Sequence, residues 1–283
     1  MIDLHTHSTF SDGSLTPAEL VDLAVKETLT AVSLTDHDTT AGIPSFLEAC
    51  AAKKLIGISG VEISVDFNPG TMHMLGYHVD PQSPALGAAL GKMREGRDDR
   101  NGQILAKLNK LGMDITMEDV LKHASEDVVG RPHFAQALLA KGYISAPKQA
   151  FELYLGKGKP AYVDRFRLTP EIGVDAIRQA GGVAVLAHPS TLGLKDKELR
   201  EFVRAMAEAG LQGIEVYYSE HSPVQISYYT ALAKELKLLM TGGSDFHGKL
   251  TPDTRLGRGF GSLRVADDLL GPLYEAAGRL KPL

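Results

Sequence analysis

The sequence predicts an α/β chain folded as a closed or nearly closed barrel, with a helical segment inserted into it. Three observations predict this. Short apolar runs alternate with amphipathic helical patterns over residues 1–78 and again over 161–283. Residues 79–160 carry helical patterns with no convincing strand among them. The residues able to hold a metal fall at the ends of about seven strand candidates, where a parallel barrel gathers its functional groups on one rim.

Each element follows from local chemistry. IDLHTHS is short and alternating, and AVSLTDHD and LIGISGVEISV are the apolar runs of buried strands. Between the first two, Thr16, Pro17 and Glu19 supply an N-cap, a proline at the first helical position and a capping-box acid. Strand, helix and strand in that order imply parallel pairing with crossover helices. From residue 79 come PALGAALGKMREGRDDRNGQILAKLNKLG, DITMEDVLKHAS, RPHFAQALLAKG and PKQAFELYLG, expected as a helical insertion capping the site. Thr169 and Pro170 then open another helix, followed by GVAVLAHPS, a charged helix, GIEVYY, a further helix and LLMTGGSDFHG.

The 283 residues include 43% hydrophobic and 23% charged, enough to build a core without covalent staples. A net charge of -5 argues against a generally basic surface, so no stable duplex nucleic-acid binding is expected. The lone Cys50 can form neither an internal disulfide nor a thiolate cluster, and its helical context reads as packing. No basic leader with an apolar core and no apolar run of ~18 residues is present. No membrane association and a cytoplasmic location are therefore expected; the oligomeric state is not legible.

The strand ends carry the chemistry. IDLHTH offers His5 and His7, two residues apart and so on one face. Asp12 follows in a loop ending at Gly13. VSLTDHD offers His37, ISGVEIS offers Glu62, MHMLG opens with His73, LAHP ends in His188, and GSDFH carries Asp245 and His247. Neutral imidazole with carboxylate suits Mn²⁺, Zn²⁺ or Fe²⁺, and nine ligands exceed what one tetrahedral ion uses. Two or three divalent ions fit the count. Three such ions against three carboxylates leave a pocket of about +3, which suits a phosphate ester.

These segments resemble the PHP (polymerase and histidinol phosphatase) family of metal-dependent phosphoesterases. DLHTHSTFSDG, LTDHDT, GVEIS, the histidine of TMHMLGYH, LAHP and GSDFHG match in the family's order over residues 3–248. The resemblance implies a distorted (β/α)7 TIM-like barrel with a trinuclear site on its C-terminal rim. It implies the nine residues above as ligands, with Glu62 bridging two ions. GRPHFAQALLAKG, GKGKPAYV and IEVYYSEHS resemble the branch of nucleoside 3′,5′-bisphosphate phosphatases and 5′-to-3′ exoribonucleases. The expected substrate is a nucleoside bisphosphate such as phosphoadenosine phosphate, or the 5′ end of a short RNA. The expected reaction is hydrolysis by a metal-bridging hydroxide, with Glu62, Asp12 and His221 at the catalytic centre. A histidinol-phosphate or other small-metabolite phosphatase is the alternative enzyme. A non-catalytic metal-stabilised module is disfavoured by the intact ligand set.

Spacing alone reads Arg131 and His133 in GRPHF as an exposed arginine and a capping histidine; the resemblance implies that they bind phosphate, the arginine bidentately. His221 after GIEVYY and Lys159 in GKGKP are further phosphate candidates. Arg97 and Arg100, set among acids in EGRDDR, read as a solvated ion-paired face. Asp36 and Asp38 flank His37, where one could orient an imidazole. Gly242 and Gly243 read as points of close backbone approach.

Overall fold

The computed structural model describes residues 1–124 and 129–280. Seven strands stand side by side in chain order: β1 (Ile2–Asp3), β2 (Ala31–Leu34), β3 (Ile56–Val65), β4 (Met72–Tyr77), β5 (Val183–Leu186), β6 (Gly213–Tyr218) and β7 (Leu239–Gly243). Backbone bonds past the ends of the first and last strands close the ring. Leu4 N–H donates to Gly242 O, Asp245 N–H to His5 O and His7 N–H to Phe246 O. The segments that supply the first two histidines and the last acid are therefore neighbours in the barrel wall.

The pairing departs from the all-parallel order that strand–helix–strand spacing suggests. β1, β2 and β3 are mutually parallel, as are β5, β6 and β7, but β4 runs antiparallel to both its neighbours. Only the six residues 66–71 join β3 to β4, too few for a crossover helix, so the chain turns back on itself. This reversal is the distortion of the barrel. It also matters for the site, because β4 begins where β3 ends. His73, near the start of β4, pairs with Ser64 and so reaches the rim at which the parallel strands finish.

Helices α1 (Pro17–Lys26) and α2 (Ile43–Lys53) cover β1–β3 from outside, α3 (Pro84–Lys110) follows β4, and α4 (Met117–Leu121), α5 (Arg131–Ala140) and α6 (Pro147–Ala150) lie in the insertion. α7 (Pro170–Gln179), α8 (Asp196–Glu208) and α9 (Pro223–Leu236) connect the later strands, and α10 (Leu270–Ala276) ends the described chain. The Thr16 hydroxyl accepts from Glu19 N–H while the Glu19 carboxylate accepts from Thr16 N–H at 2.8 Å, a complete capping box. Thr169 likewise caps α7.

Apolar burial holds the two layers. Leu4, Ile58, Leu75, Tyr77 and Val185 pack together with Leu270, Leu273 and Tyr274 of α10. Leu20, Val21 and Phe46 of the outer helices pack on Val32 and Leu34, with Cys50 buried among them. Burial alone pushes the Cys50 thiol up to about 12, which makes it an inert packing residue. Among the described residues no helix is long and apolar enough to cross a membrane.

The chain forms two compact units, Met1–Leu90 with Leu168–Leu283, and Gly91–Arg167. The sequence reading starts the insertion at residue 79, where strand signals stop; the compact units divide instead within α3, which runs unbroken from Pro84 to Lys110. The helical unit has its own core of Ile104, Leu108, Phe134, Leu138 and Leu155. Arg97 and Arg100 are not on a solvated face. They are 7% and 5% exposed, in line with Met93, Ile104 and Leu108 on the inner stripe of α3, while Asp98 and Asp99 face solvent. Helical periodicity, not the run of charges, sets which side of α3 is buried.

Gly243 marks the closure. A methyl group there would collide with the backbone and Cβ of His5, and one at Gly242 with the backbone of Tyr217. We expect Gly243→Ala to force β1 from β7 and to lower unfolding stability by about 1–3 kcal/mol, measured by denaturant titration. Gly87→Ala is the control: no atom lies within 4 Å of its added methyl, on an exposed helical position, so that substitution should be neutral or slightly stabilising.

Candidate metal centre

The rim is assembled from residues at or near the ends of six strands and from one loop. His5 and His7 continue β1 with Thr6 between them paired to Phe246, so both imidazoles leave the same face of the chain. The loop after His7 is folded back by Asp36, whose carboxylate accepts from Ser8 N–H at 2.8 Å, Ser8 Oγ–H at 2.6 Å and Ser11 Oγ–H at 2.6 Å. That clamp returns Asp12 to within 3.2 Å of His247 Nε2. His37 lies opposite Glu62 in a backbone bridge beyond β2. His188 and Asp245 take positive φ, 21° and 57°, just past β5 and β7. Strained backbone held by its surroundings is a frequent mark of a functional position.

All nine sequence-predicted residues come together. Four overlapping groups have ligand atoms within 4.8 Å of one another: His7, Asp12, His37 and His247; His5, His7 and Asp245; His5, Glu62 and His188; and His37, Glu62 and His73. Among the described residues, their union is the set of nine named from the sequence. Glu62 is the hub. Its Oε1 lies 2.8 Å from His73 Nδ1 and 3.0 Å from His188 Nε2, and its Oε2 lies 2.8 Å from His37 Nδ1, 3.3 Å from His7 Nε2 and 3.4 Å from His5 Nε2.

The arrangement fits cations. His5 Nε2, His7 Nε2, Asp12 Oδ1, His37 Nδ1 and Glu62 Oε2 are all buried polar atoms without a hydrogen-bond partner. Buried polar atoms are seldom left so, and five of them converging on one place call for a positive charge between them. Outward bonds turn the rings the right way. His5 Nδ1–H donates to Glu215, His188 Nδ1–H to Thr191 Oγ1 and His247 Nδ1–H to Asp245 O, which directs each Nε2 inward. The electrostatics agree. Burial would raise the Glu62 carboxyl, but His37, His73 and His5 hold it well below the usual carboxylate range. Burial, with His247 and His37 beside it, pushes His7 down to about 3, so its imidazole stays neutral.

Glu215 is the functional residue that strand-end reasoning misses. It sits inside β6, is fully buried, and splits its carboxylate between His5 Nδ1 at 3.0 Å and His188 N–H at 2.8 Å. A lone acid inside the apolar GIEVYY strand was the legible signal. Asp36 and Asp38 flank His37, and both bind serines: Asp36 ties the Asp12 loop through Ser8 and Ser11, and Asp38 accepts from Ser64 N–H at 2.8 Å. Asp3, pushed up to about 6 by burial, ties Ser244 and Gly257 beneath the site.

The remaining candidates lie outside the four groups. His221 is 7% exposed, donates Nδ1–H to Val216 O and packs its ring between Tyr218 and Tyr229. Tyr218 in turn reaches Asp245 through its hydroxyl at 3.1 Å. Arg131, His133 and Lys159 belong to the helical unit. Arg131 donates to Leu155 O and stacks over Tyr162, His133 accepts from Gly130 N–H, and Lys159 is exposed.

Because Glu215 orients two rim histidines, Glu215→Ala should lower affinity for divalent metal about 10–100-fold. Metal titration followed by mass spectrometry of the loaded protein checks this, and unchanged affinity would remove Glu215 from the site.

Comparison with known proteins agrees with this geometry. The PHP domain family matches residues 3–244. A 3′,5′-nucleoside bisphosphate phosphatase of Chromobacterium violaceum is 36% identical over 87% of both chains. A 5′-3′ exoribonuclease of Escherichia coli is 36% identical over 90% of this chain and 88% of its own. A Bifidobacterium adolescentis protein designated a metal-dependent phosphoesterase superposes with a TM-score of 0.86 at 31% identity, over 99% of this chain and 96% of that one. This protein is a hydrolase of phosphate esters that depends on divalent metal. It belongs to the PHP domain family.

Proposed function

We propose that the protein hydrolyses phosphate esters of nucleotides, removing the 3′-phosphate of nucleoside 3′,5′-bisphosphates or releasing nucleotides from the 5′ ends of short RNA. The observation that carries this reading is the nine-residue rim centred on Glu62, taken with relatives 36% identical to this chain over most of their length. Two or three divalent ions, Mn²⁺ first among them with Zn²⁺ or Fe²⁺ as alternatives, would be held there. When bound they supply a water of lowered pKa and neutralise the phosphoryl oxygens.

The chain's own residues have distinct tasks. Glu62 offers one oxygen to His73 and His188 and the other to His5, His7 and His37, the geometry of a bridging ligand. Asp12 and His247 close the outer side on a loop held by Asp36. His221 has its Nδ1–H committed to Val216, and burial keeps its pKa low, so it presents Nε2 as an acceptor. It suits a substrate hydroxyl better than a phosphate oxygen. Arg131, His133 and Lys159 are proposed to contact substrate phosphate, so that the helical unit contributes recognition.

The deciding assay compares phosphoadenosine phosphate, a 5′-phosphorylated RNA oligomer, histidinol phosphate and an aryl phosphate in Mn²⁺. Preferred turnover of the nucleotide substrates is expected; preference for histidinol phosphate overturns the assignment. Glu62→Ala should lower kcat at least a thousandfold and reduce bound metal per chain, read by metal analysis of the same sample. Full metal content with full turnover would show that the site lies elsewhere.

A further inference from the structure

Strand β6 carries an irregularity beside the metal centre. Glu215 pairs with Thr241 of β7, but Tyr217 pairs with Gly242 and Tyr218 with Gly243. Two steps along β6 therefore match one along β7, and Val216 is the extra residue. Such a bulge shifts the alternation of faces beyond it. In an unbroken strand Glu215 and Tyr218, three positions apart, would leave opposite faces. With the extra residue between them, both reach the rim. Glu215 accepts from His5 Nδ1–H and His188 N–H, and the Tyr218 hydroxyl donates to Asp245 Oδ2 at 3.1 Å. The facing strand makes room for the irregularity, because a Cβ at Gly242 would collide with the backbone and Cβ of Tyr217. Bulges recur next to active sites, where they re-aim a side chain.

The task of the re-aimed side chain follows from how Asp245 divides its two oxygens. Oδ1 faces the centre, 3.1 Å from His7 Nε2, 3.4 Å from His5 Nε2 and 3.5 Å from His247 Nδ1. Oδ2 is held by Tyr218. Glu62 differs, since each of its oxygens faces imidazoles. One carboxylate is thus arranged to bridge and the other to offer a single oxygen. Without a tie, the short Asp245 side chain could turn both oxygens inward. Tyr218 is a firm tie. It is 8% exposed, and its ring lies 5.3 Å from that of His188 and 5.1 Å from that of His221. A buried tyrosine hydroxyl takes a polar partner, and here that partner is the carboxylate facing three of the rim histidines.

We propose that Tyr218 is a positioning residue of the metal centre: it holds Asp245 as a one-oxygen ligand to the ion bound with His5 and His7, and the bulge in β6 aims it. This rests on the reading of Asp245 as a metal ligand, and the identity of the substrate does not enter. Asp245 belongs to one of the four donor groups, that of His5 and His7, so the effect falls on one ion of the set.

Mn²⁺ binding to the chelator-treated full chain, followed by calorimetry with metal per chain counted in the same samples, tests it. Tyr218→Phe keeps the ring and removes the hydroxyl. We expect it to weaken one ion of the set about 10-fold or more and to leave the others unchanged. At limiting Mn²⁺, kcat/KM for an aryl phosphate should fall by a similar factor and recover at saturating Mn²⁺. The visible spectrum of the Co²⁺-loaded chain, which reports ligand geometry, should change as well. Tyr229→Phe takes a hydroxyl from a buried ring on the other side of His221 and should alter none of these readings. Tyr218→Met, likewise without a donor, gives the same readings should the phenylalanine variant fold poorly. Asp245→Asn separates the proposal from the reading beneath it. If that variant loses an ion while Tyr218→Phe matches the wild type in affinity and spectrum, the positioning role is overturned and Asp245 stays a ligand. If Asp245→Asn keeps every ion at wild-type affinity, Asp245 is no ligand and the role falls with it. Equal weakening of all ions, or a loss of activity that saturating Mn²⁺ does not recover, would make Tyr218 a packing residue.

Discussion

Glu62, itself buried, faces five imidazoles, and its two oxygens divide them into two sets. Imidazole nitrogens and carboxylate oxygens buried this close together, five of them without a hydrogen-bond partner, call for positive charge between them. The rest of the barrel rim serves this convergence. The antiparallel β4 exists at the site to bring His73 to Glu62, and the β1–β7 closure brings His5 and His7 against Asp245. The buried unpartnered atoms are thus a pre-arranged shell of donors suited to divalent cations.

Around that shell, a layer of bonds fixes orientation. Glu215 reaches His5, Thr191 reaches His188, and Asp36 gathers two serines to return Asp12 to the rim. Each of these partners is supplied by a different element, so the ligand geometry depends on the whole barrel being closed. Gly243, with no room for a methyl group against His5, is where closure and ligand placement become one constraint. The two units also divide the electrostatic work. The barrel unit carries net negative charge and the helical unit net positive charge.

Much of the site was legible because barrel geometry is simple. Parallel strands end on one face, so histidines and acids at strand ends must meet, and all nine did. The capping signals at Thr16 and Thr169 were local and were read correctly for the same reason. Glu215 was missed because it lies within a strand, and its partner is 210 positions away. Arg97 and Arg100 were misread because local charge in EGRDDR concealed their position on the buried side of a long helix.

The sequence by itself determined the donor types, their order and the face from which each leaves its strand, since alternation and strand polarity follow from backbone geometry. It determined the absence of thiolate ligands and the helix starts. Only the tertiary structure decided the reversal of β4, set by a connection too short for a helix. It alone gave the distances across the barrel that make Glu62 the hub, a role the sequence carried only through the family resemblance. The pairing of Glu215 with His5 and the burial of the arginines are of the same kind: both depend on what distant segments place opposite a residue, and no local pattern encodes that.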